Sequence, residues 1–166
     1  MSFLSIFKRN QQTTADKIHG KSIVEALNRV QAVIEFQIDG SIVAANANFC
    51  ELMGYPLEDI IGKHHRIFVE STDAQSQAYR NFWASLKSGK FHRGEYKRIG
   101  NHGKAVWVQA TYTPIMNENN DVIKVVTFAT DVTQAKLQSA DFRSQVLAVD
   151  RSQAVIEFDL EGKIER

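Results

Sequence analysis

The chain has 166 residues, of which 43% are hydrophobic and 23% charged, and its net charge at pH 7 is +1. This balance is typical of a globular domain, and it lacks the excess of basic residues that nucleic-acid binding requires. With one cysteine, Cys50, and no apolar run near the roughly 18 residues of a membrane span, the sequence predicts a cytoplasmic protein with no membrane span.

The sequence contains an internal repeat. The run QAVIEF occurs at residues 31–36 and again at residues 153–158, an offset of 122 residues. We therefore expect one complete unit and the first strands of a second, with the natural protein continuing past Arg166. The expected segments are a flexible terminus (1–15), a flanking helix (16–30), a central domain (31–133), a connecting helix (134–150) and a truncated second unit (151–166).

The central domain begins with a hairpin. Apolar and polar residues alternate over Val33–Ile38, and Asp39-Gly40 is a tight-turn signal before a second short strand. Asn46 is placed to cap a short helix that Gly54 ends.

One longer helix and three strands follow. The helix is predicted over residues 75–88, and its apolar residues at helical spacing are Tyr79, Phe82, Trp83 and Leu86. Strand patterns then cover residues 91–99, 104–116 and 122–131, joined by polar turns. Two strands, several short helices and three strands predict an α+β domain, a five-stranded antiparallel sheet with helices on one face.

The last strand predicts which residues face outward. Ile123, Val125, Thr127 and Ala129 share one face of it. Phe128 lies on the other face, where Tyr96 and Trp107 of the neighbouring strands are expected to join it. An apolar stripe of this size is normally covered by another structural element. We expect the helix over residues 16–30 to cover it, from the same chain or from a partner subunit.

The segment after Asp131-Val132-Thr133 has a heptad rhythm. Apolar or small residues recur at positions 132, 135, 139, 142, 146 and 149. These steps of three and four residues are the coiled-coil pattern. We expect this exit helix to pair with its counterpart in a homodimer.

With this order of elements in place, four motifs resemble the PAS sensory domain: NANFCELMGYPLEDIIGKHHRIF, FWASLKSGKF, GEYKRIGNHGKAVWVQATYTPI and FATDVT. They are similar in particular to the tandem cytoplasmic PAS domains of bacterial chemoreceptors of the methyl-accepting chemotaxis and aerotaxis type. The resemblance implies a pocket between the sheet and the helices that holds a flavin, haem, a small metabolite or nothing. It also implies an output domain further along the same polypeptide.

The photosensory light-oxygen-voltage branch of this family supplies a contrast. Its flavin-contacting Gly-x-Asn-Cys-Arg pattern aligns with Gly62–Arg66, which puts His65 at the photoreactive cysteine. Two flavin-binding asparagines correspond to Glu95 and Val108, and a glutamine corresponds to Ala129. Without the thiol, the resemblance excludes a photoreceptor of that kind.

His64 and His65 support three interpretations. By the alignment His65 faces the pocket, where it is a ligand of haem b or a lining residue without metal. Alternatively both histidines hydrogen-bond locally in a solvated turn. The histidines and the one cysteine do not repeat at zinc spacing, so no structural zinc site is expected.

Trp83 and Glu95 are the other candidates. Trp83 resembles the tryptophan of flavin-binding redox PAS domains and is a candidate to stack on an isoalloxazine, or it is a core residue of an amphipathic helix. Glu95 is expected on the inner face of the sheet, as a ligand contact or in an ion pair with Arg66 or Lys97 at the pocket mouth. Phe68 completes the predicted pocket residues.

The sequence is compatible with two functions. The first is a chemotaxis or aerotaxis sensor, with FAD ahead of haem b as cofactor, whose state passes through Asp131 and Thr133 to the exit helix. The second is a cofactor-free dimerisation module that positions an output domain such as a kinase or a cyclic-dinucleotide enzyme. Its pocket would be filled by Phe49, Met53, Phe68, Phe82, Trp83 and Tyr112. No catalytic triad or phosphate loop appears, so an enzyme is not expected.

Overall fold

The computed structural model describes the backbone of residues 19–152 and the side chains of residues 19–146. Two compact units meet at the bond between Asp131 and Val132. The expected flexible terminus over 1–15 lies outside the described residues. Of the predicted second unit over 151–166, residues 151 and 152 continue a helix and the remainder lies outside the described part.

The first unit contains five strands and several helices. Helix α1 covers residues 19–30 of the described chain. The strands are β1 Ala32–Phe36, β2 Ile42–Ala45, β3 His92–Ile99, β4 Ala105–Met116 and β5 Val122–Asp131. The helices between β2 and β3 are α2 Ala47–Met53, α3 Leu57–Ile60, a 3-10 turn His65–Phe68, α4 Ser71–Ala74 and α5 Gln77–Lys87.

The strands form one antiparallel sheet in the order β2-β1-β5-β4-β3. The first and last strands of the unit, β1 and β5, therefore lie side by side at its centre. The predicted five-stranded α+β architecture is confirmed, and the predicted helix over 75–88 is found as α5.

Asn46 ties three elements together. Its Oδ1 accepts hydrogen bonds from the backbone N–H of Phe49 (2.9 Å) and of Val33 (3.0 Å). Its Nδ2 donates to the carbonyl of Gln31 at 2.7 Å. The predicted cap of α2 is thus confirmed, and the same amide also holds the start of β1 next to it.

One face of the sheet, which we call the inner face, packs against the helices. β1 contributes Ile34 and Phe36, each 1% exposed, and α5 contributes Trp83 and Leu86, which are also buried. Met53, Ile60 and Phe68 come from the shorter helices and complete a continuous core. Burial of such large side chains is what holds the short helices, none of which is stable alone.

The register of β3 against β4 corrects two predictions. Glu95 pairs with Gln109 and is exposed on the outer face, whereas Tyr96 pairs with the buried Val108 and faces inward. The expectation of Glu95 inside and Tyr96 outside was wrong. A shift of one residue in a strand exchanges its two faces, and β3 has too few apolar residues for its pattern to show which face is buried.

The outer face is only partly covered. Trp107 and Phe128 lie on it and are half-buried. Leu27 of α1 lines a groove next to Phe128, but the apolar side chains of α1 stay largely in solvent, with Ile23 48% exposed and Val30 74% exposed. In this single chain, α1 therefore does not bury the aromatic residues as expected.

The second unit is described by the helix α6, Thr133–Ser152. Phe142 and Val146, at two of the predicted heptad positions, are 68% and 51% exposed. The coiled-coil pairing remains a prediction. Among the described residues, no helix is long and apolar enough to cross a membrane.

Candidate functional site

A small cavity lies between the inner face of the sheet and the helices. Its volume is about 20 Å³, about enough for one water molecule. Its walls are mostly apolar, and the polar side chains that reach it are His65, Arg98, Tyr112 and Thr127. These four groups come from the 3-10 turn, β3, β4 and β5.

The β1–β2 turn holds His65 in place. The backbone N–H of His65 donates to the carbonyl of Gly40 at 2.8 Å, and Ser41 forms an isolated bridge with His64. Gly40 has a φ of +93°, and a Cβ there would meet His64 Nε2 at 2.7 Å. The predicted Asp39-Gly40 turn therefore does more than join two strands, because it also fixes the segment that carries the histidines.

The His65 imidazole is 2% exposed and has a partner on each nitrogen. Nδ1 is 2.9 Å from the Tyr79 hydroxyl, and Nε2 is 3.2 Å from the Tyr112 hydroxyl. The ring also packs edge-on against Phe36 and Trp83, with centroid distances of 5.3 and 5.6 Å. His65 therefore lies in the core, and the solvated turn is excluded for it.

The hydrogen bond from Arg98 favours one arrangement of the protons in this cluster. Its Nη2 donates to the Tyr112 hydroxyl at 3.0 Å, because a guanidinium can only donate. The Tyr112 proton is then free to point at His65 Nε2, and a neutral imidazole carries its own proton on Nδ1 and donates it to Tyr79. Burial, with the charge of Arg98 nearby, holds the pKa of His65 well below its usual value, which favours this neutral form.

Two tyrosines next to Arg98 stay protonated. Burial raises the pKa of Tyr79 and of Tyr96, while the positive charge of Arg98 opposes that rise in both. The guanidinium carbon of Arg98 lies 4.6 Å from the centre of the Tyr96 ring, a cation–π arrangement. The cluster of His65, Tyr79, Tyr112 and Arg98 is thus a hydrogen-bonded chain with one positive charge at its end.

Two polar atoms of the cavity have no hydrogen-bond partner among the described residues. They are Thr127 Oγ1 and Arg98 Nε, both fully buried. The indole N–H of Trp83 is a third such atom in the core; it lies close enough to Tyr79 to oppose the rise in that pKa without reaching hydrogen-bond geometry. Buried polar groups are normally paired, so the cavity has unused capacity to bind a polar group.

His64 and Arg66 lie outside this cavity. His64 Nδ1 accepts from the backbone N–H of Arg66 at 3.1 Å and caps the 3-10 turn. Both side chains line an open groove of about 630 Å³ over α5, together with Asp39. Burial lowers the pKa of His64, and hydrogen bonds from Ser41 lower that of Asp39. The local-turn interpretation fits His64 alone.

The remaining predicted site residues lie in different places, and only some of them line the cavity. Val108 and Ala129 line the cavity and are buried, as is Phe68. Trp83 is 7% exposed and packs T-shaped on Phe36. Lys97, one suggested partner for Glu95, instead forms an ion pair with Glu70 at 2.6 Å. Asp131 ends β5 and Thr133 begins α6.

Sequence reasoning missed two of the polar cavity residues and the role of a tyrosine next to them. Arg98 and the hydrogen-bonding role of Tyr79 were not recognised, and Thr127 was placed on the inner face without a role. The available signal was the alternation His92, Gly94, Tyr96, Arg98, which puts Arg98 on the same face as Tyr96. That signal becomes useful only when β4 shows which face is inside.

The lining does not fit a flavin or haem as it stands. A volume of about 20 Å³ is far too small for either group. The positions aligned with flavin-binding amides are the apolar Val108 and Ala129 and the outward Glu95, so they offer no inward amide to a flavin ring. Both nitrogens of His65 are engaged by tyrosines, so ligation of iron requires breaking one of those bonds.

Among the described residues, no group of three or more histidine, cysteine, aspartate or glutamate side chains is placed to hold a metal ion. The cavity presents hydrogen-bond donors and one positive charge to a small group, in an otherwise apolar surrounding.

Comparisons with known proteins agree with this geometry. The biofilm dispersion protein BdlA of Pseudomonas aeruginosa is 41% identical over 84% of this chain and 33% of its own length. The aerotaxis receptor of Escherichia coli is 30% identical over 54% of this chain and 18% of its own. This chain thus spans about a third or less of these two relatives.

A solved PAS domain from Colwellia psychrerythraea superposes with a TM-score of 0.60 at 20% identity, over 69% of this chain and 97% of that one. A family model described as PAS fold matches residues 42–129, which include every strand except β1 and the end of β5, and all polar residues of the cavity. The chain belongs to the PAS fold family.

Proposed function

We propose that this chain is the sensory input domain of a chemotaxis- or aerotaxis-type signalling protein. The observation that carries the proposal is the hydrogen-bonded chain from Arg98 through Tyr112 and His65 to Tyr79, which joins β3, β4, the 3-10 turn and α5 beside a small, mostly apolar cavity. The similarity to a dispersion protein and to an aerotaxis receptor supports it. We propose a non-enzymatic role in the cytoplasm.

The proposed relay runs along β5. Thr127 faces the cavity, and the same strand ends at Asp131, two residues before α6 begins at Thr133. A ligand that bonds to Thr127 changes the hydrogen bonds of β5, and α6 passes that change to an output domain. A homodimer through the flanking helices is part of this proposal, since exposed Phe142 and Val146 lie at heptad positions.

A second candidate is the cofactor-free interaction module. The closed interior favours it, because Met53, Phe68 and Tyr112 occupy the space that a large cofactor needs. FAD remains ahead of haem b among cofactors only through the position of Trp83 in the core, and either group requires the core to open.

Hydrogen exchange separates the two candidates. The amides of residues 133–152 are followed by mass spectrometry while the protein is exposed to oxidant, reductant and a panel of small metabolites. A sensor gives altered protection of α6 with at least one stimulus, and Thr127→Val weakens that response. Unchanged α6 protection under every condition, with a visible spectrum that shows neither flavin nor haem, would favour the interaction module.

A further inference from the structure

Arg98 is a cation without a counter-ion in the part of the chain that the structure describes. Arg98 is in none of the ion pairs found there, such as Lys21–Glu25, Lys97–Glu70 and Lys124–Glu35. Arg98 instead donates to two neutral acceptors, the Tyr112 hydroxyl and the carbonyl of Lys97, at 3.0 and 3.2 Å. Its Nε is buried and bonds to nothing.

The charge of Arg98 acts on an apolar interior. It lowers the pKa of His65 and opposes the rise in the pKa of Tyr79 and Tyr96, so its field is felt at three rings around it. A charge next to a medium of low dielectric is costly when no opposite charge is near. An anion in contact with Arg98 removes that cost.

Arg98 lies between two spaces. It lines the small cavity, and it also lines an open groove of about 310 Å³ beside Tyr79, Phe82 and Tyr96. Asp73 borders the same groove but forms no ion pair with Arg98. The guanidinium is therefore the group that the open groove and the small cavity share.

The donors around the cavity match a carboxylate. Arg98 Nε has a free N–H, and Thr127, on the same face of the sheet two strands away, has a buried hydroxyl without a hydrogen-bond partner among the residues that the structure describes. A guanidinium binds two carboxylate oxygens in one plane. Behind these donors the wall is apolar, with Ile34, Phe36 and Met53, which excludes a second charge on the ligand.

We propose that the interior of this domain binds a short monocarboxylate, held by Arg98 and Thr127 with its apolar end towards Met53. The cavity as it stands has room for about one water molecule, so a carboxylate enters only as the Arg98 side chain moves aside, and its tail is limited to a few carbons, as in acetate or propionate. Binding draws Arg98 away from Tyr112 and so changes the hydrogen bond of Tyr112 to His65. This ligand class rests on the proposed sensory function and specifies its input.

The test is a titration with sodium acetate, at constant ionic strength held with sodium chloride, followed by ¹⁵N NMR of arginine Nε–H groups and by calorimetry. The expected result is saturable binding with a shift of the Arg98 Nε–H signal. Acetamide, which has the same shape without the charge, is expected not to bind. Propionate is expected to bind and succinate, with its second charge, to fail.

Two variants make the assignment specific. Arg98→Gln is expected to weaken acetate binding by about tenfold or more, because a charge-assisted pair is lost. Arg93→Gln is the matched control, since Arg93 lies on the same strand but is exposed on the outer face, and it is expected to bind acetate as the wild type does. If Arg98→Gln does not fold, the Arg98 Nε–H shift of the wild type decides alone.

The proposal is overturned if acetate and propionate leave the Arg98 signal unchanged, if acetamide binds equally well, or if Arg98→Gln binds as tightly as the wild type. The ligand site and the proposed sensory function can fail independently of each other. Acetate binding without any change in hydrogen exchange at residues 133–152 supports this site and contradicts the sensory proposal. A response of α6 to another stimulus, without acetate binding, supports the sensory proposal and contradicts this site.

Discussion

The two faces of the sheet use polar residues in opposite ways. On the outer face, Glu35 and Lys124 form an ion pair at 2.7 Å with both side chains about a third exposed. On the inner face, among the described residues, Arg98 has no acidic partner and the hydroxyl of Thr127 has no hydrogen-bond partner. Water satisfies the outer groups at little cost, whereas the inner ones hold capacity for a ligand. Function is therefore to be sought on the inner face.

Removing a large inner side chain has the largest expected effect. Phe36 is 1% exposed and packs against His65 and Trp83, so Phe36→Ala is expected to lower the free energy of unfolding by about 3–5 kcal/mol. Phe128→Ala, on the half-buried outer face, is the control and is expected to lower it by about 1 kcal/mol. Urea denaturation measures both, and equal losses would contradict the contrast between the faces.

The next largest effect comes from His65→Phe. The change leaves the hydroxyls of Tyr79 and Tyr112 without their shared partner, which is expected to cost about 1–3 kcal/mol at pH 7.5. The pKa of His65 is lower when folded than when unfolded. The unfolded chain therefore binds the proton first as the pH falls, so the contribution of His65 is full above pH about 6.5 and declines below it.

The pH dependence of the stability difference reports on the protonation of His65. The difference in unfolding free energy between wild type and His65→Phe is expected to shrink by up to about 1.4 kcal/mol per pH unit between pH about 6.5 and the lower folded pKa. His102→Phe serves as the control, because His102 is exposed. A difference that stays constant from pH 7.5 to pH 5 would show that His65 is not held neutral by the fold.

Gly40→Ala tests the close contact between the β1–β2 turn and His64. The φ of +93° and the approach of His64 Nε2 to 2.7 Å of the new Cβ are expected to cost about 1–2 kcal/mol. Thermal unfolding measures the loss. Gly103→Ala also has a positive φ of +76° but open space around it, so a larger loss at Gly40 is the expected sign of the contact with His64.

The smallest effect is expected from the outer ion pair. Lys124→Met should change the free energy of unfolding by no more than about 1 kcal/mol, because both partners remain in contact with water. Raising the salt concentration should reduce even that difference. A loss as large as that of His65→Phe, measured by urea denaturation, would remove the distinction between the two faces.

Local features were predictable because their causes are local. The Asp39-Gly40 turn, the Asn46 cap and the apolar face of α5 each depend on residues a few positions apart, and each is found. The burial of His65 followed from the resemblance to the PAS family rather than from any pattern. The inward face of β3 did not follow, because His92, Gly94 and Arg98 have no hydrophobic period that marks it.

From the amino-acid sequence alone came the order of the elements, the fold class and the similarity to chemoreceptor PAS domains, since these depend on periodicity, turn residues and recognisable motifs. Only the tertiary structure decided that Arg98, Tyr112, His65 and Tyr79 form one chain beside an unpartnered Thr127. Those residues lie far apart in the chain. Their meeting depends on the register of β3 on β4 and on the packing of α5 over the sheet, which no local pattern encodes.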